Sequence, residues 1–326
     1  MKKKYKNMFF VFGVVLLILM LTQLNYEDII NGLQRAGYWF PAVVALWGLL
    51  YIINTAAWYV IIRSGGKDKK EIGFWWLYKV TVSGFALNYA TPCGLMGGEP
   101  YRIMELTPRI GVERATSSVL LYVMTHIFSH FWFWLIATIL YVLTEPLNTF
   151  MSVLLAVIAS VCIFAIWFFI KGYRKGIALS IMRIAGKMPV VGKHAIRFTE
   201  SRKTELDNID KQIAALHGQN RRTFVSAVAL ELTCRLLSSF EIMFILLVLT
   251  PDVSYIHCVL ILAFTSLLAN ILFFMPLQLG GREGGFLLSS TGLAMTASSG
   301  IFVALIVRLR ELIWTAIGLL MMKTKA

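Results

Sequence analysis

The sequence predicts an all-α integral membrane protein: a polytopic helical bundle of two inverted-topology repeats, each holding a re-entrant hairpin, with six full spans and two hairpins in all. Three observations carry this expectation. Hydrophobic residues make up 58% of the 326 and mean hydropathy is +0.72, well above the roughly 45–50% apolar content of soluble domains. The 31 Lys/Arg and 17 Asp/Glu, net +14, gather beside the apolar runs. That placement points to orientation against an anionic inner leaflet and away from nucleic acid. Finally, two apolar regions are broken by matching stretches, Thr91-Pro-Cys-Gly-Leu-Met-Gly-Gly-Glu-Pro-Tyr-Arg102 and Pro276-Leu-Gln-Leu-Gly-Gly-Arg-Glu-Gly-Gly285. In each, a proline precedes a Gly-Gly pair, Gly97-Gly98 or Gly280-Gly281, and a glutamate follows seven positions after the proline, Glu99 or Glu283.

Backbone that leaves helical geometry at membrane depth is tolerated only where protein or a wet cavity surrounds it. In secondary transporters, paired breaks in corresponding halves mark the substrate site. Two ordinary Gly/Pro turns outside the membrane are the plainer alternative.

In chain order, Lys2, Lys3, Lys4 and Lys6 precede an apolar run from Met8 to Leu24. It has no small-residue cleavage site after it and reads as an uncleaved first span with a cytoplasmic N-terminus. Tyr26 to Gly37 reads as a short polar piece outside, and Trp39 to Ile62 as the second span, ending in the basic loop from Arg63 to Lys70. Phe74 to Leu106 has basic flanks on both sides, with Arg102, Arg109 and Arg114 after the break. It therefore reads as a hairpin (74–106) that enters and leaves on the cytoplasmic side.

Ala115 to Leu143 runs outward and Met151 to Ile170 returns. Residues 171–222 then carry twelve Lys/Arg against four Asp/Glu, the clearest cytoplasmic signal in the chain. Within them, Phe198 to Leu216 reads as an amphipathic surface helix on anionic inner-leaflet lipid. Thr223 to Leu249 goes out, and a second hairpin (254–297) enters and leaves on the outer side. Ile301 to Met322 ends at Lys323 and Lys325, which places the C-terminus in the cytoplasm. The chain is thus expected to be one transmembrane domain, 1–326, with repeats of about 1–146 and 147–326, in the cytoplasmic membrane.

The two broken stretches and the last span around Arg308 resemble the transmembrane, flippase-like part of lysylphosphatidylglycerol synthases and their stand-alone relatives. In full-length members a soluble aminoacyl-transferase domain follows. This chain stops at Ala326, so the resemblance implies lipid movement without aminoacylation, on a membrane phospholipid or a lipid-linked sugar.

Each ionisable residue at the centre of an isolated span costs roughly 2.5–3.5 kcal/mol, so those retained are candidates for function. Arg102, Arg282 and Arg308 have the guanidinium forks that suit a phosphate, helped by N–H donors at the glycine tips Gly97, Gly98, Gly280 and Gly281. Glu99 and Glu283 are expected to balance those arginines or to carry a coupling proton. Glu231 and Arg235, four apart, are expected to face one another, as a structural pair or a proton-coupling one. Arg308 and Glu311, three apart, form a similar pair, with Arg310 pointing elsewhere. Asn88 and Asn270 precede the two tips and are possible lining residues, whereas Asn54 is expected only to bond between helices.

His126 and His130, four apart, read as buried hydrogen-bonded histidines, since two ligands make a weak metal signal. Cys93, Cys162, Cys234 and Cys258 read as packing residues, and no metal or cofactor is expected. No Ser/His, paired-Asp or HExxH arrangement is present. A non-enzymatic lipid translocase is therefore the leading reading. Two alternatives remain: an intramembrane transferase acting on a lipid carrier, for which Glu27-Asp28 is an acidic pair, and a membrane subunit that docks a separate synthase through residues 171–222.

Overall fold

A computed structural model describes residues 26–64, 72–90, 97–172, 221–272, 281–293 and 295–324, together with residue 204 and residues 8, 10, 11, 14 and 15. The first expected span, the Phe198 to Leu216 helix, most of the 171–222 loop, Gly280 and the tips at 91–96 and 273–280 fall largely or wholly outside these residues. The described residues form ten helices and no strand. They are α1 Tyr26–Ala36, α2 Trp39–Ser64, α3 Phe74–Ala90, α4 Gly98–Ile110, α5 Val112–Thr144, α6 Thr149–Gly172, α7 Arg221–Leu246, α8 Tyr255–Ile271, α9 Gly281–Gly292 and α10 Ala297–Lys323.

Helix lengths follow the apolar runs. Among the described residues, α2, α5 and α6 are long and apolar enough to cross a membrane, whereas α7 and α10 have the length, 26 and 27 residues, but carry internal charges. The 33 residues of α5 extend to about 50 Å at 1.5 Å per residue, more than the roughly 30 Å hydrocarbon core. The 13 residues of α4 reach only about 20 Å and do not cross alone. The chain is therefore a multi-pass helical membrane protein.

At the start of the described chain, the short polar piece Tyr26 to Gly37 is helical over Tyr26–Ala36. Its apolar residues recur at helical spacing, so that Leu33 and Ala36 reach one core cluster while Glu27 and Ile30 stay exposed. The helix ends at Gly37, whose φ of +52° is open to glycine at little cost. Gly111, at φ +80°, makes the corresponding turn between α4 and α5. The second broken stretch is also shorter than its sequence suggests, since helix resumes at Gly281.

Among the described residues the core has two large apolar clusters at different heights and a small third one between them, Tyr51, Val82 and Trp314. One joins Ala36 and Val43 to Phe133–Tyr141 of α5, Ile242–Leu246 of α7, the first half of α8, Phe286 of α9 and Phe302–Leu309 of α10. The other joins Ala57–Ile62 of α2, α3, Tyr101 and Leu106 of α4, Ala115–Met124 of α5, Ala227 of α7 and Leu319 and Met322 of α10. Each of α2, α5, α7 and α10 passes from one cluster to the other, and between them each carries buried polar residues. These are Asn54 and Thr55 on α2, Thr125 and Ser129 on α5, Glu231 and Glu241 on α7, and Arg310 and Glu311 on α10. Buried polar residues thus gather between the two large clusters, beside the small cluster of Tyr51, Val82 and Trp314.

Helices approach closely where side chains are small, as lipid-embedded packing favours. Gly318 of α10 lies against α3: a Cβ there would stand 2.8 Å from the Val82 carbonyl oxygen. Ser83 of α3 donates to the Gly318 carbonyl at 2.9 Å. Gly300 lets α10 meet the α9 backbone at Phe286 and Leu287 in the same way. The outer face of α6 is apolar and open, with Phe150, Phe164, Trp167 and Phe168 exposed, as a lipid-facing surface requires.

Gly318→Leu is expected to push α10 off α3 and to cost roughly 1–3 kcal/mol by overpacking. The readout is a lowered thermal midpoint of the detergent-purified protein. Gly73→Ala, at a position with nothing within 4 Å of an added Cβ, serves as the control that leaves the midpoint in place.

Candidate functional site

The breaks in the two short helix pairs decide where the charges sit. At the first, α4 begins at Gly97-Gly98, and the Asn88 side chain of α3 accepts from the Gly98 N–H at 2.7 Å while donating to Glu99 Oε1 at 2.8 Å. A Cβ on Gly98 would collide with the Gly84 carbonyl and Asn88, so the close crossing of α3 and α4 requires glycine there. Arg102, one turn into α4, is 1% exposed. It reaches Glu99 Oε1 and the Thr81 carbonyl, both at 3.4 Å, and its guanidinium lies over Phe85, Tyr122 and Trp58 at 4.7, 5.3 and 5.6 Å. Arg102 is therefore enclosed in an aromatic box roofed by α2, α3 and α5, where cation–π attraction adds to a long ion pair.

At the second break, Arg282 in the first turn of α9 pairs with Glu311 of α10, and Arg308 of α10 pairs with Glu283 of α9. Tyr89, from the end of α3 beside the first break, lies next to Glu311 and Arg282. Tyr89, from the first interruption, therefore reaches the group of charges at the second. Between α9 and α10 lies a cleft lined by Arg282, Glu283, Phe286, Ala304, Val307, Arg308 and Glu311. Its free space, about 10 Å³, admits one water at most.

Arg310 points elsewhere, as expected, towards α7 and α2. Its Nε and Nη2 donate to Glu241 Oε1 and Oε2 of α7 at 2.7 and 2.9 Å, and its Nη1 stands 3.7 Å from Glu311. The guanidinium plane covers Trp47 of α2 at 3.8 Å. Arg308 and Glu311, by contrast, do not pair with each other, because each is taken by α9. The reason is reach: α9 packs along α10 through Gly300, bringing carboxylate and guanidinium to the positions three residues apart.

The same applies to Glu231 and Arg235, which turn to α5 instead of to one another. Glu231 Oε2 lies 2.7 Å from His126 Nδ1, and Arg235 donates to Ser129 Oγ at 2.7 Å and to the His126 carbonyl at 2.9 Å. Asn54 bonds across helices as expected, donating to Cys234 Sγ at 3.2 Å. Asn270 is exposed and donates to its own helix at Ser266, 2.7 Å away; it does not join either cluster. Gly281 and Gly97 flank their breaks, and Gly280 lies outside the described residues.

Glu241, Arg310 and Tyr89 were not among the candidate site residues drawn from the sequence, whereas His126 is hydrogen-bonded as expected. Glu241 and Arg310 carried a signal, as ionisable residues deep inside long apolar runs; Tyr89 carried none, because its role depends on the fold. Among the described residues no group of three His, Cys, Asp or Glu is placed to hold a metal.

A family model described as the lysylphosphatidylglycerol synthase TM region matches residues 9–318. This chain belongs to that family. No curated protein and no solved structure matches it.

The arginines divide by how fully they are used. The Arg310–Glu241 pair is bidentate and nearly sealed, with side chains 4% and 2% exposed, so removing either partner leaves an uncompensated buried charge. Arg282 and Arg308 hold one carboxylate each on the wall of a cleft. Arg310→Met is expected to destabilise the protein by about 3–5 kcal/mol, and the double substitution Arg310→Met with Glu241→Met to recover most of that loss. Thermal unfolding of the three purified proteins in one detergent checks this, and a double variant no better than the single would refute it.

Proposed function

We propose that this protein moves a phosphate-bearing lipid headgroup across the cytoplasmic membrane through its polar mid-layer, without covalent chemistry, while the acyl chains stay in the bilayer. The observation that carries the reading is the pair of exchangeable ion pairs on the cleft wall, Arg282 with Glu311 and Arg308 with Glu283. A phosphate offers each guanidinium the same two-oxygen partner that a carboxylate does. The headgroup displaces the glutamates when it enters, and they close over the arginines when it leaves. The family supports a lipid substrate, a membrane phospholipid or lipid-linked sugar, because its described member region belongs to synthases of a modified phospholipid.

The architecture proposed with this function is a pair of inverted repeats, each with a re-entrant hairpin. Three features support it. The α3/α4 pair shares its cluster with the cytoplasmic-side ends of α2 and α5, whereas α8 and α9 share theirs with the opposite ends. Tyr89, which precedes the first break, and Arg282, which follows the second, both lie beside Glu311 of the polar layer. Exchanging α2, α3, α4 and α5 for α7, α8, α9 and α10 also maps neighbours onto neighbours: α3 packs on α10 as α8 packs on α5, α4 on α5 as α9 on α10, and α2 on α3 as α7 on α8.

Orientation follows from charge. Arg63, Arg109, Arg114, Arg222 and Lys323 all lie at the end of the bundle that holds the second cluster, while Glu145 and Asp252 lie at the other. The positive-inside rule makes the first of these ends cytoplasmic.

The test is movement of a headgroup-labelled anionic phospholipid in proteoliposomes, read by accessibility of the label to a membrane-impermeant quencher. Arg282→Ala and Arg308→Ala are each expected to slow movement more than tenfold in protein that remains monodisperse, and Arg282→Lys to retain part of it because charge survives while the fork does not. Rates equal to protein-free vesicles for the wild type, or variants as fast as the wild type, would exclude this function.

A further inference from the structure

A second buried polar group lies at mid-height, apart from the cleft. His126 is 14 residues into α5, about 21 Å from its start, and its Nδ1 stands 2.7 Å from Glu231 Oε2 of α7. The carboxylate is 1% exposed, and its second oxygen, Oε1, has no hydrogen-bond partner. A buried carboxylate with one bond is costly as an anion, and the cost falls when it shares a proton. The cation best placed to neutralise it is Arg235, one turn along the same helix, yet the Arg235 Nε and Nη2 are engaged by Ser129 Oγ and the His126 carbonyl. The imidazole side of the pair is a third open, 33% exposed, whereas the carboxylate side is dry.

The groups facing this pair come from each neighbouring element. α5 supplies His130, whose ring meets His126 edge-on at 5.4 Å, and Tyr122, at 6.3 Å. α7 supplies Arg235 and Cys234, α4 supplies Arg102, and α2 and α3 supply the uncharged Asn54 and Phe85. Phe85 and Tyr122 touch both His126 and the Arg102 guanidinium.

We propose that His126 and Glu231 form a proton-binding site that couples headgroup movement to a proton. The inference rests on the translocation reading above. The proton is held between Nδ1 and the Glu231 carboxylate; no other bond forms or breaks. Its charge is felt by Arg102 through the shared aromatic ring faces, and Arg102 holds Glu99 by a contact of only 3.4 Å. Proton uptake and loss therefore change the charge felt at Arg102 and Glu99, where Asn88 ties α3 to α4.

Two measurements test this on the full-length protein. In detergent, pH-difference infrared spectroscopy is expected to show a buried carboxyl gaining a proton on mild acidification, a signal lost in Glu231→Gln, altered in His126→Gln and unchanged in Arg282→Ala. In proteoliposomes carrying the labelled anionic phospholipid, an imposed pH gradient is expected to change the wild-type rate several-fold between its two directions. Glu231→Gln and His126→Gln are expected to lose that asymmetry. A wild type with no such infrared signal, or moving lipid at one rate whatever the gradient, overturns the proposal. A wild type that shows the infrared signal but moves no lipid under any gradient overturns the translocation reading, and with it the coupling.

Discussion

Burying a charge among lipid-embedded helices is tolerated only when an opposite charge or a set of dipoles meets it there, and this constraint fixes the middle of the bundle. Arg282 finds Glu311, Arg308 finds Glu283 and Arg310 finds Glu241, every one of them a partner on a different helix. Such pairs set the height and rotation of α7, α9 and α10 relative to one another. A slip of one turn, about 5.4 Å, would separate all three.

The apolar clusters above and below this layer have the complementary role. They carry the burial that holds the long helices together but specify little about register, because one aliphatic contact resembles the next. Close contacts at Gly318, Gly300 and Gly98 add the missing specificity by admitting backbone where no side chain fits. Firm ends with a polar middle form a body in which the centre can rearrange while the ends stay packed. The cleft between α9 and α10, closed to all but a water, fits a resting arrangement in which the glutamates occupy the arginines.

Much of the fold was legible in the chain. Five of the expected full-span runs coincide with helices to within a few residues, since a run of about 20 apolar residues has few other fates in a membrane. The short polar piece at Tyr26–Ala36 is an amphipathic helix, a feature its low mean hydropathy concealed. At the site, Arg282, Arg308, Glu283, Glu99, Arg102 and Asn88 are placed in ion pairs or hydrogen bonds beside the two breaks, so unusual residues next to unusual backbone were a sound signal. Partner assignment by spacing along one helix failed, for Glu231 with Arg235 and for Arg308 with Glu311. Neighbours at three or four residues are good partners on an isolated helix, but a packed neighbour offers a better-aligned group in a drier place.

The sequence by itself determined that this is a multi-pass helical membrane protein of one family, with two matched interruptions and several charges it could not afford to leave unpaired. These depend on composition and order, which any reader of the chain can see. Only the tertiary structure decided who neutralises whom: that Glu241 reaches Arg310, that Tyr89 comes to the second break from the first, that Glu231 belongs to His126 and that Asn270 stands aside. Each of those pairings joins residues on separate helices, and the crossing geometry that brings them together is a property of the packed bundle, not of any one segment.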